Sequence, residues 1–284
     1  MNRPAAPGGA PPATRLDARA MAEVFARLRE ARPLVHHITN DVVTNDTANV
    51  TLHVGAAPVM AVAPEEVADM VTAAGVLLLN IGTLTVERLE AMQLAAARAA
   101  ELGRPIVLDP VGAGATAFRT AAATELLDAF PVTIVRGNAG EIGSLAGTGG
   151  EVRGVDSLAG DGTAREAAAA LAHRWRTTAA ATGARDVVSD GRRQVEVANG
   201  HVLLAAITGS GCMATTVVAC CAAVEPDALL AAATGLVVIG LAGERAAQVA
   251  AGPGSFKVAL LDALAALTPD DVAAGARVAV GSAP

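Results

Sequence analysis

Two hydrophobic periods alternate along this chain. Short apolar runs at residues 35–38, 59–62, 76–81, 106–108, 133–135 and 178–181 read as strands, and the run at 76–81 is apolar at nearly every position, as in a strand buried on both faces. Between them lie longer stretches with helical spacing, at residues 16–29, 44–54, 65–73, 87–102, 120–129, 139–146 and 164–174. Pro64 is a favourable first-turn residue, and Gly103 is a helix stop. Later, 187–189, 194–197 and 202–204 read as shorter strands, with Asp190-Gly191 as a hairpin turn. Helices at 213–224, 228–250 and 256–267 complete the pattern. Strand–helix alternation of this kind predicts an α/β architecture of three layers, a mostly parallel sheet with helices on both faces. Residues 1–15 are rich in Pro, Ala and Gly and read as a disordered tail, leaving 16–284 as a single domain.

Composition narrows the function. Of 284 residues, 2% are aromatic, none is Tyr, and the net charge is −7, so neither base stacking nor a basic nucleic-acid footprint is available. The apolar stretch 228–243 falls short of the ~18 to 20 residues of a membrane span and reads as a buried helix. No secretory h-region follows the first Met, and three cysteines (Cys212, Cys220, Cys221) match no zinc spacing. A cytoplasmic setting is expected. Lys257 is the only lysine and no GxxxxGK[ST] motif occurs. Phosphates, if handled, must fall to backbone amides, Arg and a metal.

The most telling stretch is Thr208-Gly209-Ser210-Gly211-Cys212, running straight into an apolar helix. A Gly-rich loop feeding a helix N-terminus makes a nest for phosphate, because the first N–H groups lack helical partners. Cys212 inside such a nest is placed where a thiol most readily becomes a thiolate. Other polar residues gather where strands end, which is where open α/β sheets collect ligands. Asp109 precedes Pro-Val-Gly-Ala-Gly, Arg136-Gly137-Asn138 ends the next strand with Glu141 in the following helical turn, and Thr182-Gly183 ends a third. Asp109 and Glu141 suit Mg²⁺, which takes a few carboxylates together with waters and phosphates. Alternatively they cap a turn and a helix. Arg136 can fork onto a phosphate or form an ion pair. Gly112-x-Gly114-x-x-Ala117 fits the loose dinucleotide pattern, but Pro110 interrupts its turn and no acidic residue ends the next strand. The pair His36-His37 reads as structural, since no partner spacing supports a metal.

With these pieces assembled, the chain resembles the hydroxyethylthiazole kinases of the ribokinase-like superfamily over residues 34–265. The segments that carry the resemblance are HHITNDVVTNDTAN (36–49), GAAPVMAVAPEEV (55–67), LLLNIGTLT (77–85), PIVLDPVGAGAT (105–116), VRGNAGEI (135–142), NGH (199–201), ITGSGC (207–212) and GPGSF (252–256). The resemblance implies a ribokinase-like fold and ATP-dependent phosphorylation of 4-methyl-5-(2-hydroxyethyl)thiazole. By matching motif it implies thiazole contacts from Met60 and Gly209, with Asn40 near substrate and phosphates. It implies ATP contacts from Arg136 and Thr182, and Mg²⁺ held by Asp109 and Glu141, partly through water. It places Cys212 at the catalytic position, where related ribokinase-like enzymes carry Asp, within the phosphate nest Gly209, Ser210, Gly211 and Cys212. It also implies a homotrimer with active sites between subunits. A thiol-nucleophile enzyme built on Cys212 and a His, a non-catalytic binding protein, and a hydroxymethylpyrimidine kinase are the competing readings.

Overall fold

The computed structural model describes residues 15–148 and 161–284; of the tail expected at 1–15, residues 1–14 lie outside the described residues. In chain order the elements are α1 (Ala18–Ala31), β1 (Leu34–Ile38), α2 (Thr44–Val54), β2 (Ala57–Val59), α3 (Val67–Ala73), β3 (Val76–Asn80), α4 (Val86–Leu102), β4 (Ile106–Asp109), α5 (Ala117–Ala129), β5 (Ile134–Asn138), α6 (Ala139–Ala146), α7 (Asp161–Trp175), β6 (Thr178–Thr182), β7 (Asp186–Ser189), β8 (Arg193–Val197), α8 (Ser210–Ala222), α9 (Ala228–Val249), α10 (Pro253–Ala266), α11 (Pro269–Gly275) and β9 (Val278–Ser282). They build one nine-stranded sheet of order β2-β1-β3-β4-β5-β6-β7-β8-β9. Its first six strands are parallel and its last three antiparallel.

The layers follow from period-two alternation. In β3, Val76 and Leu78 join one core with α1, α2, α8, α9 and α10. Leu77 and Leu79 join the opposite core with α3, α4, α5, α6 and α7. A strand buried on both sides needs apolar residues at each position, which is why Val76–Leu79 are all buried. Helix α9 is long and apolar enough to cross a membrane, but 83% of its most apolar stretch is buried inside the fold.

From β1 the chain passes outward to β2, then returns to β3 on the other side of β1. Helix α2 after β1 packs on one face, and α4 after β3 on the other. A crevice therefore opens between the carboxyl ends of β1 and β3, the usual ligand position in such sheets.

The sequence expectations hold for most elements, with ends shifted by up to three residues as in α5, α7 and α10, and four departures bear on the fold or the site. The strand expected at 59–62 lies instead at Ala57–Val59, since pairing with β1 ends at His36 and Met60 leaves the sheet. The expected strand at 202–204 is a 3₁₀ turn, Val202–Ala206, capped by the His201 side chain. The sheet edge beyond β8 is taken by β9, which pairs with β8 from Arg193↔Ser282 to Val197↔Val278. Neither α11 nor β9 was expected after residue 267. Finally α8 begins at Ser210, three residues early, so Ser210, Gly211 and Cys212 form its first turn.

Candidate active site

The start of α8 is shaped by two glycines. Gly209 sits at φ +83°, and a Cβ there would lie 2.5 Å from Val43 Cγ1. A Cβ on Gly211 would lie 2.7 Å from Arg136 Nη1. Only residues without side chains let the backbone turn in at this point and let the guanidinium rest against it. Gly209 is the N-cap and offers no side chain, so the N–H groups of Ser210, Gly211 and Cys212 find no acceptor among the described residues. Partial positive charge from the helix end and a fixed Arg charge meet at one spot.

Facing that spot is a polar cluster at the ends of three strands. Asn40 follows β1, Asn80 ends β3 and Asp109 ends β4, and all three are buried. Asn80 and Asp109 are register partners. Asn80 Nδ2 donates to Asp109 Oδ2 at 2.9 Å and to Cys212 Sγ at 3.2 Å. Asn40 Nδ2 donates to Asn80 Oδ1 at 2.8 Å and reaches Cys212 Sγ at 3.6 Å. Thr215, one turn into α8, donates to Asp109 Oδ2 at 2.8 Å. Asn40, Asp109 and Cys212 were expected from sequence; Asn80 and Thr215 were not. The available signal for Asn80 was a polar residue closing an apolar strand beside the sheet's ligand-binding edge.

Electrostatics at the cluster are dominated by burial. Asp109 is raised to about 6 by burial, opposed by the Arg136 charge, with the Glu141 charge adding to the rise. Cys212 is pushed up to about 12, first by burial and then by the Asp109 charge, against donors from Asn80 and Asn40 and the Arg136 charge. The expected thiolate is therefore corrected: the helix end and two amides do not offset desolvation beside a carboxylate, and the free site holds a thiol. None of the groups acting most strongly on Cys212 is an imidazole. His36 Nε2 instead contacts Ala61 O at 2.8 Å, and His37 Nε2 meets the Thr51 hydroxyl at 3.0 Å.

Arg136 and Thr182 also come together. Arg136 Nη2 donates to the Thr182 hydroxyl, which donates in turn to Gly137 O at 3.2 Å. Arg136 Nε is buried and has no partner among the described residues. Beside them Asp186, missed from sequence, accepts from Gly183 N at 3.0 Å and feels the Arg136 charge. Glu141 completes a capping box, accepting from Asn138 N at 2.8 Å while Asn138 Oδ1 accepts from Glu141 N. Its other oxygen accepts from Gly112 N at 2.7 Å, clasping the loop after β4. Met60 stands apart, one residue past the edge strand β2 and half-buried, with no bond to the cluster among the described residues. Among the described residues no group of three or more His, Cys, Asp or Glu is placed to hold a metal by itself.

Comparison with known proteins supplies the family. The model of the hydroxyethylthiazole kinase family matches residues 25–270. A hydroxyethylthiazole kinase of Roseiflexus sp. (strain RS-1) is 58% identical over 259 residues, covering 91% of this chain and 96% of that protein. The solved hydroxyethylthiazole kinase protein from Pyrococcus horikoshii OT3 superposes with a TM-score of 0.86 at 44% identity, over 92% of this chain and 98% of that one. A ribokinase-like superfamily protein from Enterococcus faecalis V583, 14% identical, shares the fold with a TM-score of 0.56 over 89% of this chain and 83% of its own. The fold is ribokinase-like, and the chain belongs to the hydroxyethylthiazole kinase family.

Proposed function

We propose that this protein transfers the γ-phosphoryl group of ATP to the primary hydroxyl of 4-methyl-5-(2-hydroxyethyl)thiazole, a salvage step towards thiamine. The observation that carries this is the α8 N-terminus, with Arg136 packed on Gly211, set against the Asn80–Asp109 strand ends. Phosphoryl transfer needs positioning and fixed positive charge more than covalent chemistry, and this arrangement supplies both.

The roles follow the family resemblance. The N–H groups from Ser210 to Cys212 receive the phosphoryl oxygens, with Gly209 leaving room for the thiazole alcohol beside Asn40. Arg136 and Thr182 hold ATP, and the buried Arg136 Nε–H has no partner among the described residues. Met60 sits against the thiazole from the sheet edge. Mg²⁺ fits the residues present. Asp109 is a buried carboxylate whose raised pKa marks an uncompensated negative charge. Both Glu141 oxygens already accept backbone N–H groups, yet each keeps a lone pair for a metal-bound water. When bound, the ion neutralises polyphosphate charge. Cys212 holds its own proton in the free site, so it takes the proton of the attacking hydroxyl only as its S–H proton passes to the Asp109 carboxylate beside it; this transfer comes late in a largely dissociative step, and positioning carries most of the rate.

A homotrimer with sites between subunits belongs to the same proposal. Val42, Leu52, Val202 and Val258 are large apolar residues left more than half exposed, surface that a subunit contact would cover. The three cysteines are unpaired, in keeping with a reducing cytoplasm. A coupled assay of ADP release tests the central claim. Release that depends on hydroxyethylthiazole supports it. Release with hydroxymethylpyrimidine alone moves the specificity to that substrate, and silence with both, from folded protein, overturns kinase activity.

A further inference from the structure

We propose that Asn80 is a positioning residue for phosphoryl transfer: its side-chain amide sets the placement of the Cys212 sulfur relative to the Asp109 carboxylate. This deepens the kinase reading above and rests on it. All four hydrogen-bonding functions of the amide are used. Oδ1 accepts from Asn40 Nδ2 at 2.8 Å and from Gly82 N at 3.0 Å. Nδ2 donates to Asp109 Oδ2 at 2.9 Å and to Cys212 Sγ at 3.2 Å. The amide has one usable orientation, because a flip would set its NH₂ against two donors.

The anchors on the oxygen side are rigid. Gly82 N is backbone, and Asn40 is itself fixed, with its Oδ1 accepting from Val42 N at 3.1 Å. The β3–β4 register places Asn80 opposite Asp109. Asp109 Oδ2 takes a second donor from Thr215 on the same helix as Cys212. Strand ends and the helix start are thereby joined through a single amide that is 1% exposed. A network aimed only at stability gains little by spending two buried N–H donors on a sulfur, a weak acceptor. The expense is accounted for if the sulfur must stand at a fixed place beside the reacting hydroxyl.

The test is a double-mutant cycle on the purified full chain, with Asn80→Ala, Cys212→Ala and the pair. Asn80→Asp, which keeps the shape and the acceptor side but loses both donors, is the second variant. We expect Asn80→Ala to lower kcat ~10- to 100-fold, with both KM values and ADP affinity by calorimetry within about 3-fold of the parent. In the Cys212→Ala background the same change should cost less than about 3-fold, because its effect passes through the sulfur. Asn80→Asp should lower kcat like Asn80→Ala. Equal fold losses with and without Cys212, a rise in KM instead of a fall in kcat, or a fully active Asn80→Asp would each overturn the proposal. Failure of both Asn80 variants to fold would also overturn it, making the amide structural. Absence of thiazole-dependent turnover in the unaltered chain would sink the kinase reading itself, whereas normal turnover by Asn80→Ala would remove only the positioning role.

Discussion

Arg136 and Gly211 lie so close that any side chain on Gly211 would begin 2.7 Å from the guanidinium Nη1. Gly211→Ala should therefore push Arg136 off the helix end without unfolding the chain, since glycine's left-handed freedom is used at Gly209 and not here. The expected result is a KM for ATP raised ~10-fold or more, with circular dichroism unchanged, in keeping with the loss of a charge-assisted contact. Unchanged ATP kinetics would remove Arg136 from the nucleotide site.

Gly209→Ala should behave differently. Its φ of +83° and the approach of Val43 Cγ1 combine backbone strain with a steric clash. A loss of ~1–3 kcal/mol in denaturant unfolding is expected, together with impaired turnover. A variant as stable as the parent would show that the α8 entrance can relax.

For Cys212 the expectation is graded. A general base contributes ~10²–10⁴-fold, so Cys212→Ala should be slow and still measurable. Cys212→Asp should keep activity, as carboxylate stands at this position in related ribokinase-like enzymes. A folded, inert Cys212→Asp would argue against proton removal at residue 212.

Stability should carry the signature of Asp109. Its carboxyl rises from 3.8 to about 6, chiefly through burial, so the folded chain holds the proton more tightly than the unfolded one. This group's stabilising contribution is present below pH 3.8 and is withdrawn as pH rises through about 6, on the order of 3 kcal/mol by pH 8. Asp109→Asn does not titrate. Between pH 5 and pH 8 the parent should lose stability relative to this variant, as read by urea midpoints. A constant difference across that range would mean the charge is compensated.

Mg²⁺ should reverse part of that loss. At pH 8, millimolar Mg²⁺ with ADP should raise the thermal midpoint of the parent by several degrees more than that of Asp109→Asn, because only the parent offers the carboxylate. Equal shifts in both would place the ion elsewhere.

Most of the fold was legible in local pattern. Apolar runs such as Val76–Leu79 can satisfy burial on two faces only in the middle of a covered sheet, and Gly103 or Thr116 end and begin helices through backbone and side-chain bonds made within a few residues. The strand expected at 202–204 failed because strand formation needs a free neighbouring edge, and the chain's own last strand occupies that edge. That competition is non-local, and β9 itself is largely exposed, with little apolar signal.

The site divides along the same line. Residue type and position along the strands were enough to mark the chemical inventory: the Gly-rich start of α8, the carboxylates Asp109 and Glu141, Arg136, Thr182 and Cys212. How these groups act on one another depends on contacts between segments far apart in the chain. Sheet register set Asn80 opposite Asp109, and α8 brought Cys212, 132 residues beyond Asn80, and Thr215, 106 residues beyond Asp109, onto them. Burial then turned an expected thiolate into a thiol. Desolvation and hydrogen-bond orientation depend on what surrounds a group from every side, and those surroundings are supplied by residues distant in sequence.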